Sequence, residues 1–150
     1  MQLDLNFTYN DVEVGYKTGR SRGRTATETD VVNFMMLTGN WIEIHSNVEF
    51  CKTTPFGQRL VQGSLVLAMS QGLFSAGRAV AAFYGLDGVR FIKPVFIGDT
   101  IYLQCEVIKK RDKDDRFGLL TWRMNVTNQR GELVQKAEYT QLTYKVMPQH

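Results

Sequence analysis

Two histidines occur in the chain, and only His45 lies away from a terminus. Imidazole is the side chain best suited to gaining and losing a proton near neutral pH, so His45 is the first candidate for acid–base work. Two residues before it stands Glu43, and five before it Asn40. A carboxylate at i−2 shares a side with the histidine only where the chain is strand-like; elsewhere a solvated glutamate is expected. Asn40 can hydrogen-bond a water or a carbonyl, but its amide cannot accept a proton at useful pH. The two cysteines, Cys51 and Cys105, form no metal-ligand spacing, and with so few histidines no zinc site is expected.

The elements that must position these residues are readable from spacing. Thr27-Glu28-Thr29-Asp30 is a helix-start signal, followed by Val31, Phe34 and Met35 at helical intervals. Gly39 accepts the left-handed conformation that closes such a helix. Residues 40–46 read as a loop, Asn47 as the cap of a second short helix, and Thr54-Pro55-Phe56-Gly57 as a turn. A long buried helix is expected to start around residues 61–63. Strands are expected after Gly85: residues 89–97 interrupted by Pro94, then 101–108, 117–126 and 133–144, with polar connections at 111–115 and 128–131 that suit antiparallel hairpins. One long helix, a four-strand meander and an additional N-terminal strand imply an α+β class, a curved antiparallel sheet wrapped around a central helix.

A length of 150 residues suits a single domain over 1–150. The net charge of +3 is too small to imply nucleic-acid binding without a concentrated patch. The apolar run over residues 63–83 approaches membrane-spanning length, yet it carries Gln71, Arg78 and several serines and glycines. A helix buried on most sides by protein explains it better, so no membrane partner is expected. The N-terminus lacks a signal-peptide pattern, and a cytoplasmic location is expected.

Three segments carry a family resemblance. The stretch Phe34-Met35-Met36-Leu37-Thr38-Gly39-Asn40-Trp41-Ile42-Glu43-Ile44-His45 resembles the motif of MaoC-like (R)-specific hydratases and dehydratases, whose fold is the hotdog. The run from Thr54 through Gln62-Gly63-Ser64-Leu65 is similar to that family's turn into its central helix. Lys93-Pro94-Val95-Phe96-Ile97-Gly98-Asp99-Thr100 resembles its strand-and-turn signature. The matches keep the family's order and spacing over residues 15–145. Four positions depart from the pattern: the family aspartate is Asn40, its asparagine Ile42, its proline Glu43, and the histidine before the helix-start glycine is Gln62.

The resemblance implies a channel for an acyl thioester carried by CoA or acyl-carrier protein, set at the interface of a homodimer or larger homo-oligomer. His45 is then the proton-exchanging group, and the backbone N–H of Gly63 the donor to the thioester oxygen; a helix-start N–H is physically suited to that task. Asn40 holds a water, and Glu43 stands as a substitute for the missing carboxylate. Gln62, Ser64, Gln71, Trp41, Phe56 and Arg59 are the candidate substrate contacts; Phe74, Phe83 and Phe91 are further aromatics for an acyl pocket, with core packing the default reading of any one of these aromatics. Arg20, Arg22 and Arg24 alternate, so on a strand they share one face; they and Lys93 are candidate cations for CoA phosphates, with solvated surface side chains the expected alternative. The implied reaction is reversible hydration of a trans-2-enoyl thioester to a 3-hydroxyacyl thioester, needing no metal or redox cofactor. A thioesterase and a non-catalytic acyl-CoA-binding subunit are the alternatives.

Overall fold

The structure is a computed structural model that describes residues 7–74 and 77–149. Helix α1 (Glu28–Thr38) begins and ends as its sequence requires. Thr27 Oγ1 accepts from the Asp30 N–H at 3.2 Å, and the Asp30 carboxylate accepts from the Thr27 N–H at 2.8 Å. At the other end Gly39 has φ 70° and donates to the Met35 carbonyl at 2.8 Å.

Residues 40–46 are not wholly a loop. Glu43–Ser46 form a single helical turn, α2, and Asn47 caps the next, α3 (Val48–Lys52), by accepting from the Phe50 N–H at 3.0 Å. The buried Cys51 thiol beneath them donates to the Ile44 carbonyl at 3.4 Å. Helix α4 (Gly63–Leu73) follows. It buries Leu65, Val66, Ser70 and Leu73 on one side and exposes Ser64, Ala68 and Gly72 on the other, so it is covered on one face rather than on most sides. A single sheet layer can cover only the face turned toward it.

The helix is also shorter than the apolar run that contains it. By Val80 the chain is already strand, and β2 (Val80–Phe91) pairs antiparallel with β5 (Leu133–Tyr144), Val80 standing opposite Thr143. Residues 80–83, read as the end of a helix, are thus ladder residues. Hydrophobic content alone does not separate a buried helix from a strand. Between them β3 (Thr100–Asp112) and β4 (Phe117–Thr127) complete a five-stranded sheet with β1 (Arg24–Thr25), in the order β1-β3-β4-β5-β2. The meander therefore has three strands, and β2 crosses to the far edge instead of preceding β3. Residues 95–97 form no strand; Phe96 makes one isolated bridge to Leu60.

Ile101, Leu103, Cys105 and Val107 alternate along β3 and, with Leu120, Trp122, Met124 and Val126 of β4, build the inward face. Trp122 is fully buried, with the Phe74 ring edge-on at 5.2 Å. The N-terminal segment runs extended along β3, Thr18 and Ser21 donating from their N–H groups to Cys105 and Leu103. Regular pairing is confined to Arg24–Thr25, so Arg20, Arg22 and Arg24 do not share a strand face: Arg20 lies over the Tyr102 ring at 4.3 Å and Arg24 pairs with Asp30 at 2.6 Å. No helix among the described residues is long and apolar enough to cross a membrane.

The turn before β3 is locked by Asp99. Burial disfavours its charged form, but donors from Gln129 at 2.6 Å, the Phe96 N–H at 3.0 Å and Arg130 at 3.1 Å outweigh that and hold its pKa below the ordinary 3.8. A depressed carboxyl pKa contributes stability that is present above the unfolded value and lost as pH falls through the folded one. Asp99→Asn is therefore expected to lower stability at pH 7 by about 1–3 kcal/mol. Urea titrations of both proteins should show that gap shrinking as pH falls below 3.8. A gap independent of pH would mean that the Asp99 charge is not what holds the turn.

Candidate active site

A cavity of about 460 Å³ opens between the α1–α2 connection, the first turn of α4 and the end of β2. Asn40, His45, Phe56, Gln62, Gly63 and Ser64 all line it, and so do Phe91 and Lys93 from the wider set of aromatic and cationic candidates.

His45 reaches the cavity through its backbone neighbours. The Leu60 N–H donates to the Ile44 carbonyl at 3.0 Å, and the Leu60 carbonyl lies 2.8 Å from His45 Nδ1. A carbonyl oxygen only accepts, so Nδ1 carries the hydrogen. The neutral ring then keeps its lone pair on Nε2, the form a proton acceptor needs. One residue further on, the Val61 N–H donates to the Val95 carbonyl at 2.8 Å, and two residues after that α4 begins. The histidine and the helix start are therefore joined through three residues of backbone.

Asn40 is placed by the C-terminus of α1. Its N–H donates to Thr38 Oγ1 at 3.3 Å, and that hydroxyl donates to the Phe34 carbonyl at 2.6 Å. The side-chain oxygen of Asn40 is buried and finds no hydrogen-bond donor among the described residues. The same holds for the side-chain oxygens of Gln62 and Gln135, two residues each only 1% exposed. Their amide nitrogens are engaged, Gln62 Nε2 with the Val31 carbonyl at 3.4 Å and Gln135 Nε2 with the Gly63 carbonyl at 3.1 Å. Asn40, Gln62 and Gln135 thus bring three uncharged amides to the polar wall of the cavity.

At the start of α4, Gln62 occupies the N-cap without giving a side-chain cap, and the first bond back into the helix comes from the Val66 N–H at 3.0 Å. The earlier N–H groups of Gly63, Ser64 and Leu65 point toward the positive end of the helix dipole. No carboxylate lines the cavity among the described residues, and its one charged residue, Lys93, is paired with Glu132 at 2.8 Å. No group of three or more metal-ligating side chains occurs among the described residues.

Four expected residues stand elsewhere. Glu43 is exposed on α2, and its carboxylate accepts from Asn47 Nδ2 at 3.0 Å. Because α2 is helical rather than strand-like, Glu43 and His45 do not share a side. Trp41 is half exposed outside the lining, Arg59 pairs with Glu28 behind the cavity wall, and Gln71 lies on α4 away from the lining residues. Phe74 belongs to the core and Phe83 stacks on Tyr139 at 4.9 Å, whereas Phe91 does reach the cavity. Gln135 went unnoticed in the sequence. Its signal is period two: Lys136 and Glu138 are exposed on β5, which turns Gln135 inward.

The family described as the MaoC like domain matches residues 10–129. The protein named MaoC from Klebsiella aerogenes is 40% identical over 95 residues, which are 62% of this chain and 28% of that protein. The beta-methylmalyl-CoA dehydratase of Chloroflexus aurantiacus is 30% identical over 106 residues, 70% of this chain and 30% of that enzyme. The chain thus matches less than a third of the length of these relatives. A solved structure described as the monoamine oxidase regulatory protein from Archaeoglobus fulgius is 41% identical, with a TM-score of 0.86 over 93% of this chain and 95% of that one. The curled antiparallel sheet and its central helix are the hotdog fold. With four-fifths of its length matched, the chain belongs to the family of MaoC-like domains.

Proposed function

We propose that this chain catalyses the reversible addition of water to a trans-2-enoyl thioester, giving a 3-hydroxyacyl thioester. One observation carries the reading: His45, its Nδ1 spent on the Leu60 carbonyl, shares a cavity with the uncapped N-terminus of α4. The dehydratase name of the Chloroflexus relative agrees with it.

In the hydration direction the thioester oxygen accepts hydrogen bonds from N–H groups at the start of α4, with Gly63 first. These donors stabilise the negative charge that grows on that oxygen as C3 is attacked. Asn40 accepts a hydrogen bond from the attacking water and so orients it. His45 Nε2 takes a proton from that water as its oxygen bonds to C3, and the enolate then recovers a proton at C2 from the imidazolium. Dehydration runs the same steps backward. The α-hydrogen is acidified by the thioester itself, so the scheme requires no metal or redox group. The lining residues Phe56, Val61, Val66, Phe91 and Val95 supply apolar walls for the acyl chain.

A second reading is favoured by Asn40, which stands where a carboxylate is expected: the domain binds an acyl thioester and does not turn it over. The carrier is CoA or acyl-carrier protein. We read residues 1–150 as one hotdog domain acting as a homodimer or larger homo-oligomer, an assembly supported by the edge of β2, unpaired among the described residues, where Phe83, Tyr84 and Phe91 are each more than half exposed. A cytoplasmic location is supported by two cysteines that are free and buried, the Cys105 thiol being pushed to a high pKa by its burial.

Two measurements separate these readings. Crotonyl-CoA should lose its enoyl absorbance without releasing thiol, and His45→Ala should reduce that rate by about 10²–10⁴-fold. Thiol release would make the protein a thioesterase, and silence followed by activity in Asn40→Asp would support the binding role. Separately, nitrogen-15 NMR of the His45 ring near pH 8 should report a protonated Nδ1 and a bare Nε2. The opposite tautomer would remove the proposed base.

A further inference from the structure

Gly63 has no side chain with which to fix the first turn of α4, and Gln62 does not cap it. What holds it comes from the sheet. Phe91 of β2 and Gln135 of β5 stand opposite each other across the ladder, and both reach Gly63. The Phe91 ring lies so near that a methyl carbon on Gly63 would come within 2.6 Å of Cε1 and 2.8 Å of Cδ1. Gln135 Nε2 donates to the Gly63 carbonyl at 3.1 Å. One cross-strand pair therefore grips one residue from two sides, an aromatic ring on the α-carbon and an amide on the carbonyl.

The grip has a chemical consequence. The Gly63 carbonyl and the Ser64 N–H belong to the same planar peptide, so fixing the oxygen fixes the direction of that N–H. A donor on the carbonyl also polarises the peptide and strengthens its N–H as a donor. Gln135 is nearly sealed from solvent, which keeps water from competing for the Gly63 carbonyl, whereas Phe91 is 62% exposed at the cavity rim.

We propose that Phe91 and Gln135 are positioning residues that hold the first turn of α4 so that its N–H groups stay aimed at a thioester carbonyl oxygen. The inference rests on the proposed thioester reading and extends it to two residues outside the motif segment. Neither touches the reacting atoms; Gln135 acts through the Gly63–Ser64 peptide, and Phe91 through the Gly63 α-carbon next to the Gly63 N–H.

The test is the infrared carbonyl band of butyryl-CoA, labelled with carbon-13 at the thioester, bound to the full chain. In the wild-type protein the band should move to lower frequency than in free butyryl-CoA. Gln135→Met keeps length and volume but donates no hydrogen bond; it should lose at least half of that shift. Its kcat on crotonyl-CoA should fall about 10- to 100-fold, with KM changing far less. Phe91→Leu, which keeps an apolar side chain at the cavity rim and at the β2 edge, should reduce the shift as well. A band unchanged in both variants would overturn the positioning role while leaving the thioester reading intact. A wild-type band that does not move on binding would overturn the thioester reading, and this inference with it.

Discussion

Everything in this cavity depends on the backbone of Leu60. Its N–H and carbonyl are both spent on the α2 turn, one on the Ile44 carbonyl and the other on the His45 ring. The next peptide along binds Val95, and the helix start follows within the same few residues. An extended piece of chain too short to be a strand thus fixes three things together: the tautomer of the histidine, the entry angle of α4, and the wall formed by residues 93–95. Backbone groups suit this role because a buried peptide must bond somewhere, and here its bonds are also the alignment of the site.

The electrostatic character of the cavity follows from what fills it. Its polar residues are amides, a serine hydroxyl, one imidazole and uncapped helix N–H groups, while its one cation is neutralised by Glu132. Such a site offers donors to developing negative charge without a fixed anion to oppose it. Asn40 fits this pattern. It occupies the position set by the α1 cap and keeps an acceptor there, without adding a charge that burial would penalise.

Much of this is legible in the amino-acid sequence. The Thr27–Asp30 capping box, Gly39 and Asn47 are local signals, each requiring one residue type in one conformation, and each held. Strands β3 to β5 are legible for a related reason: β3 alternates through its buried stretch, and polar turn signals bound β4 and β5 even though residues 118–122 and 134–135 are buried without alternation. The passage from α4 to β2 was not legible, because Ala, Val, Gly and Phe from 79 to 85 satisfy a buried helix and a strand equally well. Tertiary pairing with β5 decided it. Within the site, His45, Gly63 and their neighbours were found because they lie close to one another in sequence or in motif register. Gln135 was not, being drawn to Gly63 across 72 residues by strand pairing that single-residue patterns do not encode. Glu43 is the solvated glutamate expected where the chain is not strand-like: the four-residue helix turns its side chain away from its i+2 neighbour, and so short a helix leaves little periodic trace.

The cavity amides have a thermodynamic side. Gln62 and Gln135 are nearly sealed from solvent, and their side-chain nitrogens are bonded to the Val31 and Gly63 carbonyls. Burying a neutral amide so engaged costs far less than burying a carboxylate of the same length, which would demand a cation beside it. The chain can therefore carry a polar wall through its interior without a matching ion pair, and a glutamate at either position would have to bring its own counter-charge.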